Sequence, residues 1–215
     1  MDELKRSDLS VIYYTSNRED EGFEHKIRQA LLESIGSLPL ISVSQKRIDF
    51  GENICVGDVG TSDQNVRRQF QIGAMYAETK YVCAAEADFL YPEEYFQFKP
   101  ERNDVIYYAD SVYVLWHHKA QFRLKRKSEG AIIVDRGFII NTINKMYDTG
   151  WNNKPETKEE SKYLFKTCQT ESFSTPPIVT FKTGNGMHFG ACSSRTDYNE
   201  LKNWGIAKEL RRQYL

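Results

Sequence analysis

The amino-terminal part of the chain alternates between two hydrophobic patterns, and this alternation constrains the fold more than any other feature. Residues 9–17 (LSVIYYTSN) are β-branched and aromatic and end in turn-forming residues, which is typical of a buried strand. Residues 21–36 place apolar side chains three and four apart and close with Gly, which predicts a helix. Residues 38–46 (LPLISVSQK) predict another strand. A strand, a helix and a strand in this order predict a parallel pair.

The later segments repeat these patterns. A helix is predicted over residues 64–80, followed by a buried strand over 81–85. Strands are also predicted over 104–116, 131–137 and 176–183, helices over 138–150 and 197–215, a loop followed by a helix over 151–168, and a basic hairpin or loop over 117–130. We therefore expect one three-layer α/β domain over residues 1–215, with a central mixed, mostly parallel sheet.

The composition is that of a globular chain without disulfide cross-links or a structural zinc site. The 215 residues carry a net charge of −1, so no global charge draws the chain to nucleic acid or membrane. The four cysteines, Cys55, Cys83, Cys168 and Cys192, form no CxxC pair, which argues against a zinc site and a disulfide scaffold. No run approaches the ~20 apolar residues of a membrane helix, and the charged amino terminus does not have the pattern of a signal peptide. These features predict a cytoplasmic protein.

Two carboxylates follow the strand predicted at residues 81–85. Glu86 and Asp88 flank Ala87, and side chains two positions apart lie on the same side of an extended segment. Open parallel sheets bind ligands at the carboxyl ends of their strands, and hard divalent cations prefer oxygen ligands. The pair therefore indicates a site for Mn²⁺ or Mg²⁺, although two such residues can also simply cap a strand before the turn at Pro92.

Three segments resemble GT-A type nucleotide-sugar glycosyltransferases. They are residues 10–18 (SVIYYTSNR), 64–92 (QNVRRQFQIGAMYAETKYVCAAEADFLYP) and 184–190 (GNGMHFG). The resemblance implies a GT-A-like, Rossmann-like domain in which residues 1–100 bind the nucleotide sugar and residues 101–215 bind the acceptor. It also implies a nucleoside-diphosphate sugar as donor, with uridine as the nucleoside.

The resemblance also implies roles for individual residues. Asp88 would bind the metal, Glu86 would reach it or the donor through water, and His188 would be a further metal ligand, although a lone His is more often simply structural. The base pocket would be lined by Tyr14, Thr15, Ser16 and Asn17. Asn65 and Arg68 would face the diphosphate or the donor sugar, although Arg67 and Arg68 could also lie on an ordinary solvated helix face.

An inverting transfer requires a base near the acceptor hydroxyl. In the family this base is a carboxylate beyond the metal-binding strand. The candidates are Asp135, at the end of a predicted strand, and Glu159 and Glu160, near a predicted helix start. A retaining reaction would not need this base, and the sequence leaves the stereochemical outcome open.

A basic stretch over residues 117–127 (HHKAQFRLKRK) is predicted to bind the acceptor. Its candidate acceptor-binding residues are His117, Lys119, Arg123, Lys125 and Arg126. Such a patch can follow a phosphate backbone, and viral enzymes that glycosylate hydroxymethylated pyrimidines in double-stranded DNA would fit this outline. A solvated hairpin, or a glycan, lipid-linked or small-molecule acceptor, is the alternative.

Two other classes of function remain open from the sequence. Asp58 with residues 78–80 (ETK) gives a loose pattern of a metal-dependent nuclease, in which carboxylates and a Lys activate water. The basic stretch alone would suit a non-catalytic nucleic-acid-binding module.

Overall fold

A computed structural model describes residues 8–148, 168–185, 192 and 194–215. Its strands are β1 (Leu9–Thr15), β2 (Leu40–Ser44), β3 (Glu52–Cys55), β4 (Tyr81–Glu86), β5 (Phe89–Leu90), β6 (Ile106–Ala109), β7 (Val112–Trp116), β8 (Phe122–Arg126), β9 (Ile132–Asp135), β10 (Thr170–Phe173), β11 (Ile178–Lys182), β12 (Asp197–Tyr198), β13 (Glu200–Leu201) and β14 (Gly205–Ile206). Its helices are α1 (Glu21–Ile35), α2 (Asp63–Tyr76), α3 (Glu93–Gln97), α4 (Arg136–Asp148) and α5 (Ala207–Tyr214), with a short 3-10 helix at Glu129–Ala131.

A seven-stranded mixed sheet forms the centre of the fold. Its order is β10-β6-β9-β4-β1-β2-β3. The neighbours β4, β1, β2 and β3 are parallel, as are β10 and β6, and only β9 runs antiparallel to its two neighbours. The predicted α/β fold with a mixed, mostly parallel sheet is therefore confirmed.

Both faces of this sheet are buried under helices. Alternate residues of β1 point to opposite sides, so Tyr13 packs with the apolar side chains of α1 and α3, and Ile12 packs with those of α2 and α4. All seven residues of β1 are buried. This two-sided burial explains why the strand is continuously apolar rather than alternating.

A second sheet, of five strands, was not predicted. Its order is β12-β8-β7-β11-β5, and only β7 and β11 are parallel. The prediction of a hairpin or loop over residues 117–130 was incomplete, because β8 lies inside that segment and pairs with β7. Phe122 is fully buried against Leu115 and Phe181, which explains how a strand rich in basic residues stays in the fold.

The carboxyl-terminal helix is shorter than predicted. The predicted helix over residues 197–215 is confirmed only from Ala207, because a small hairpin of β13 and β14 precedes it. Asn203 and Gly205 adopt positive φ angles of 75° and 66° in this hairpin, a backbone conformation that a right-handed helix cannot contain. No helix of the described residues is long and apolar enough to cross a membrane.

Gly73 allows α2 to pack closely on the central sheet. A Cβ atom at this position would lie 2.2 Å from Cγ2 of Ile12, although Ala normally stabilises a helix interior relative to Gly. We expect Gly73→Ala to lower the free energy of unfolding by about 1–3 kcal/mol through overpacking, as measured by urea denaturation. Met75→Ala, at an exposed position of the same helix, is the control and should stay within about 0.5 kcal/mol. A stabilised Gly73→Ala variant would contradict the close packing.

Candidate functional site

The crossing from the seven-stranded to the five-stranded sheet places two carboxylates together. Glu86 is the last residue of β4 and pairs with Tyr14 at the carboxyl end of β1. After two intervening residues, Ala87 and Asp88, β5 begins in the other sheet, and the backbone N–H of Phe181 donates to the carbonyl of Asp88 at 2.8 Å. Asp88 is therefore fixed between the sheets, at the edge where parallel strands of this kind bind ligands.

The carboxylate of Asp88 is paired with a lysine from β11. Lys182 Nζ lies 2.8 Å from Oδ2 of Asp88, and the Thr180 hydroxyl donates to the same oxygen at 3.4 Å. The side chains of Lys182 and Asp88 are only 14% and 15% exposed. Burial alone would lower the pKa of Lys182, but the adjacent Asp88 carboxylate raises it, so this lysine carries its charge at neutral pH.

Glu86 contacts two tyrosine hydroxyls, one through its carboxyl and one through its backbone. Tyr14 donates to its Oε1 at 3.0 Å, and its backbone N–H donates to the Tyr91 hydroxyl at 2.9 Å. Tyr91 in turn donates to the carbonyl of Gly130 at 2.6 Å. A Cβ atom on Gly130 would lie 2.6 Å from Oε1 of Glu86, so this approach of the 3-10 helix requires Gly. Burial, and secondly the charge of Asp88, raise the pKa of Glu86 to about 7.

This raised pKa predicts a pH-dependent stability. A carboxyl that binds its proton more tightly in the folded state contributes stability that is complete below about pH 4.5 and is lost as the pH rises through about 7. Gln cannot ionise, so Glu86→Gln should gain about 1–3 kcal/mol of unfolding free energy relative to wild type between pH 4.5 and pH 8. Urea unfolding of both proteins at the two pH values measures this gain. A difference that does not change with pH would contradict the assignment.

A second lysine reaches the same cluster from β8. Lys125 Nζ donates to the Ser128 hydroxyl at 3.0 Å. Its pKa is lowered, first by burial and then by the charge of Lys182, whereas the nearby carboxylates of Glu86 and Asp88 act in the opposite direction. Two ammonium groups and two carboxylates therefore share one partly dehydrated volume.

Two further acidic residues border this cluster. Glu129 accepts two hydrogen bonds from the buried guanidinium of Arg67, both at 2.8 Å. Glu19, in the loop after β1, accepts from the Thr183 hydroxyl at 2.6 Å, and burial raises its pKa. Ionisable groups with shifted pKa values gather preferentially at functional sites, and here they come from both sheets. We refer to Glu19, Glu86, Asp88, Lys125 and Lys182 as the charged cluster.

The residues predicted to line a base pocket occupy the correct edge but are mostly engaged within the protein. Thr15 donates to Glu24 at 2.7 Å, and Tyr14 donates to Glu86. Asn17 has a positive φ of 53°, and its Oδ1 accepts from the backbone N–H groups of Gln45 and Lys46. Ser16 lies half-buried beside them at the end of β1.

Asn65 and Arg68 make their side-chain contacts with residues outside the charged cluster. The side-chain amide of Asn65 donates to the carbonyls of Val59 and Gly60, and so holds the loop after β3. The Arg68 guanidinium donates to Gln71 and lies 4.8 Å from the ring centre of Tyr147 in α4. Arg67, whose solvated position remained an alternative from the sequence, is instead the arginine that faces inward.

The candidate base Asp135 lies away from the charged cluster, because β9 is antiparallel to β4. Asp135 pairs with Tyr81 at the start of β4, which is about 16 Å along the strand from Glu86. Its Oδ1 accepts from the backbone N–H of Phe138 and caps α4. The other predicted bases, Glu159 and Glu160, and the predicted metal ligand His188 lie outside the described residues.

Part of the basic stretch is paired within the protein itself. Lys119 and Arg123 both pair with Asp197, at 2.7 Å each. Lys125 belongs to the charged cluster, whereas His117 and His118 are exposed and stack edge to face. The backbone of Arg126 ends β8. The predicted DNA-binding face is therefore less basic than its sequence indicates.

The nuclease pattern does not come together. Asp58 follows β3 and so lies at the carboxyl edge of the central sheet, whereas Glu78 and Lys80 precede β4 at the opposite edge. Side chains separated by the length of the sheet cannot share one metal or one water.

The described residues do not fit the divalent cation that the resemblance implies. Among them, no group of three or more His, Cys, Asp or Glu side chains could hold a metal ion. The carboxylate of Asp88 is already paired with an ammonium group, and Lys125 adds a second positive charge beside it. Like charge at this place opposes the binding of Mn²⁺ or Mg²⁺.

Sequence reasoning missed Glu19 and Lys182 of the charged cluster and Glu129 beside it, and it assigned Lys125 to the acceptor side rather than to this cluster. Lys182 offered a usable signal, since it ends an apolar strand just as Glu86 does. Lys125 was hidden among the other basic residues of its strand, where neither its burial nor its partners could be distinguished.

Comparisons with known proteins give weak similarities to solved structures. No protein-family model matches the sequence, and no curated protein matches it significantly. A glycosyltransferase involved in the glycosylation of the major capsid of PBCV-1 has 10% identity and a TM-score of 0.45, over 80% of this chain and 91% of that one. S. aureus TarS 1-349 in complex with UDP-GlcNAc has 11% identity and a TM-score of 0.49, over 88% of this chain.

An inositol-1-phosphate CTP transferase from T. maritima has 9% identity and a TM-score of 0.48, over 85% of this chain and 92% of that one. The chain spans only 62% of the length of TarS 1-349. Similarities of this size do not identify an activity.

Proposed function

We propose that this protein is a glycosyltransferase that moves a sugar from a nucleoside-diphosphate donor to a hydroxyl acceptor. The observation that carries the proposal is the charged cluster at the carboxyl edge of β1 and β4, where the chain crosses from one sheet to the other. Sheets of this type bind nucleotides at that edge. Two buried lysines there provide charge that is complementary to a diphosphate.

The donor would lie along this edge with its nucleoside towards β2. Two loops meet there, since Arg18 donates to the Thr61 hydroxyl at 2.8 Å and Gln45 donates to the carbonyl of Gly60 at 2.7 Å. The loop after β3 is thereby fixed beside the end of β1. In this arrangement the nucleoside lies between Ser16 and that loop, and the diphosphate extends towards Lys182.

The reaction breaks the bond between the anomeric carbon of the sugar and an oxygen of the diphosphate. Negative charge grows on the leaving diphosphate, while the acceptor oxygen bonds to the anomeric carbon and loses its proton. Cations that are fixed before the reaction stabilise this developing charge more than they stabilise the bound donor. Lys125 and Lys182 are held in place by Ser128 and Asp88, so they meet this requirement.

The acceptor would approach from the five-stranded sheet. His117 and His118 are exposed at the end of β7, and the Trp116 ring lies 5.7 Å from the guanidinium carbon of Arg123. Aromatic and imidazole faces suit a sugar or a base as well as a phosphate chain. Because Lys119 and Arg123 are paired with Asp197, we favour a glycan or small hydroxyl acceptor over double-stranded DNA.

Donor binding predicts a thermal shift. A nucleoside diphosphate present at 100 times its dissociation constant stabilises the folded state by about 2.7 kcal/mol, which for a chain of this size is roughly 5–10 °C in Tm. We expect this shift with UDP or a UDP-sugar. The diphosphates of guanosine, cytidine, adenosine and thymidine are tested beside them in the same panel.

Release of free nucleoside diphosphate from its sugar donor is the matching activity. It should occur slowly with water and faster with an acceptor, and hydroxymethylated DNA and oligosaccharides are compared as acceptors. A protein that no nucleoside diphosphate stabilises, and that releases none from any sugar donor, would refute the proposal.

A further inference from the structure

We infer that Lys125 and Lys182 take the place of a divalent cation against the donor diphosphate, and that Asp88 positions Lys182 rather than binding metal. The inference rests on the proposed function, because the diphosphate is that of the proposed donor. The sequence pattern E-x-D had indicated that Mn²⁺ or Mg²⁺ neutralises the diphosphate. The inference assigns this role to the two lysine side chains.

The pairing of Asp88 is the first observation. Its Oδ2 receives both Lys182 Nζ at 2.8 Å and the Thr180 hydroxyl at 3.4 Å, and its own backbone carbonyl is fixed by the N–H of Phe181. All three partners come from β11, so the contact is built into the pairing of β11 with β5. An ammonium group has three N–H donors, and the pair with Asp88 leaves others for phosphate oxygens.

The second lysine, Lys125, comes from a different strand and adds a second ammonium group near that of Lys182. Lys125 in β8 donates to the Ser128 hydroxyl at 3.0 Å, directly before the 3-10 helix whose Gly130 approaches the carboxyl of Glu86. Burial, and secondly the charge of Lys182, lower the pKa of Lys125. A dication placed at Asp88 would be repelled by both ammonium groups and would have to displace Lys182 from a contact that is mostly shielded from water.

The remaining acidic groups around the cluster are engaged elsewhere. Glu86 accepts from Tyr14, Glu19 accepts from Thr183, and Glu129 is held by two hydrogen bonds from Arg67. Asp88 offsets the charge of Lys182, and burial raises the pKa of Glu86 and of Glu19, which favours the uncharged form of both carboxyls and leaves the two lysines to meet an anion. The diphosphate of the donor would add the anion that the pair of lysines is arranged to meet.

Isothermal titration calorimetry of the whole chain tests the inference. Each of UDP, GDP, CDP, ADP and dTDP is titrated into protein dialysed against EDTA, and again with Mn²⁺ or Mg²⁺ added. We expect at least one nucleoside diphosphate to bind in EDTA, with an affinity that added metal changes by less than about threefold. Lys182→Met and Lys125→Met should each weaken this binding at least about tenfold, and Lys182→Arg should restore part of it.

Lys99→Met, at an exposed position, is the control and should bind as wild type does. Circular dichroism of each variant shows whether it is folded. If Lys182→Met unfolds, the binding measured with Lys182→Arg and Lys125→Met still tests the inference. Binding that appears only with Mn²⁺ or Mg²⁺ overturns the inference and leaves the proposed function standing. Binding of none of the five nucleotides, with or without metal, overturns both.

Discussion

Replacing Lys182 with Met is expected to lower kcat for donor cleavage by about 10²–10³-fold, which is the usual effect of removing one fixed group that stabilises transition-state charge. Met keeps most of the length and packing of the lysine stem and removes only the ammonium group. KM for the donor should rise less than kcat falls, because the charge on the diphosphate is greatest when its bond to the sugar breaks. Steady-state release of nucleoside diphosphate measures both constants.

Stability must be separated from catalysis in this variant, because Lys182→Met leaves the Asp88 carboxylate without its ammonium partner. The double variant Lys182→Met/Asp88→Asn removes both charges and should recover most of the stability while staying inactive. Lys99→Met should retain wild-type kcat. If a folded Lys182→Met protein lost less than about threefold in kcat, the lysine would not be the stabilising group.

The central sheet could be predicted from the sequence because its strands are buried on both faces. Continuous apolar runs such as residues 9–15 and 81–85, separated by amphipathic helices, specify parallel strands whatever the remote contacts are. The position of Glu86 and Asp88 at the end of such a run also indicated the correct edge. This much of the site follows from the local pattern alone.

The partners of those carboxylates could not be predicted in this way. Asp88 and Lys182 are 94 residues apart, and their contact exists because β11 pairs with β5 in a second sheet. The direction of β9 is equally hidden, since a short apolar strand looks the same in parallel and antiparallel neighbours. That ambiguity placed Asp135 at the wrong edge of the sheet.

The ion pair between Arg67 and Glu129 should be a main support of the site's stability. It joins α2 to the 3-10 helix that approaches Glu86, and its side chains are only 3% and 19% exposed. Glu129→Ala removes the partner of a buried guanidinium, and we expect it to lower the free energy of unfolding by about 3–5 kcal/mol in urea denaturation. Such a loss would be a large fraction of the total for an ordinary domain.

Two controls make this prediction specific: an ion pair on the surface, and a variant in which both Arg67 and Glu129 are replaced by uncharged residues. Asp104→Ala breaks the exposed pair with Arg102 and should leave the unfolding midpoint nearly unchanged. Arg67→Met/Glu129→Leu removes both charges, and it should be clearly more stable than Glu129→Ala because no buried charge is left without its partner. If Glu129→Ala were no less stable than Asp104→Ala, the pair would not hold the 3-10 helix, and the position of Gly130 against Glu86 would need another cause.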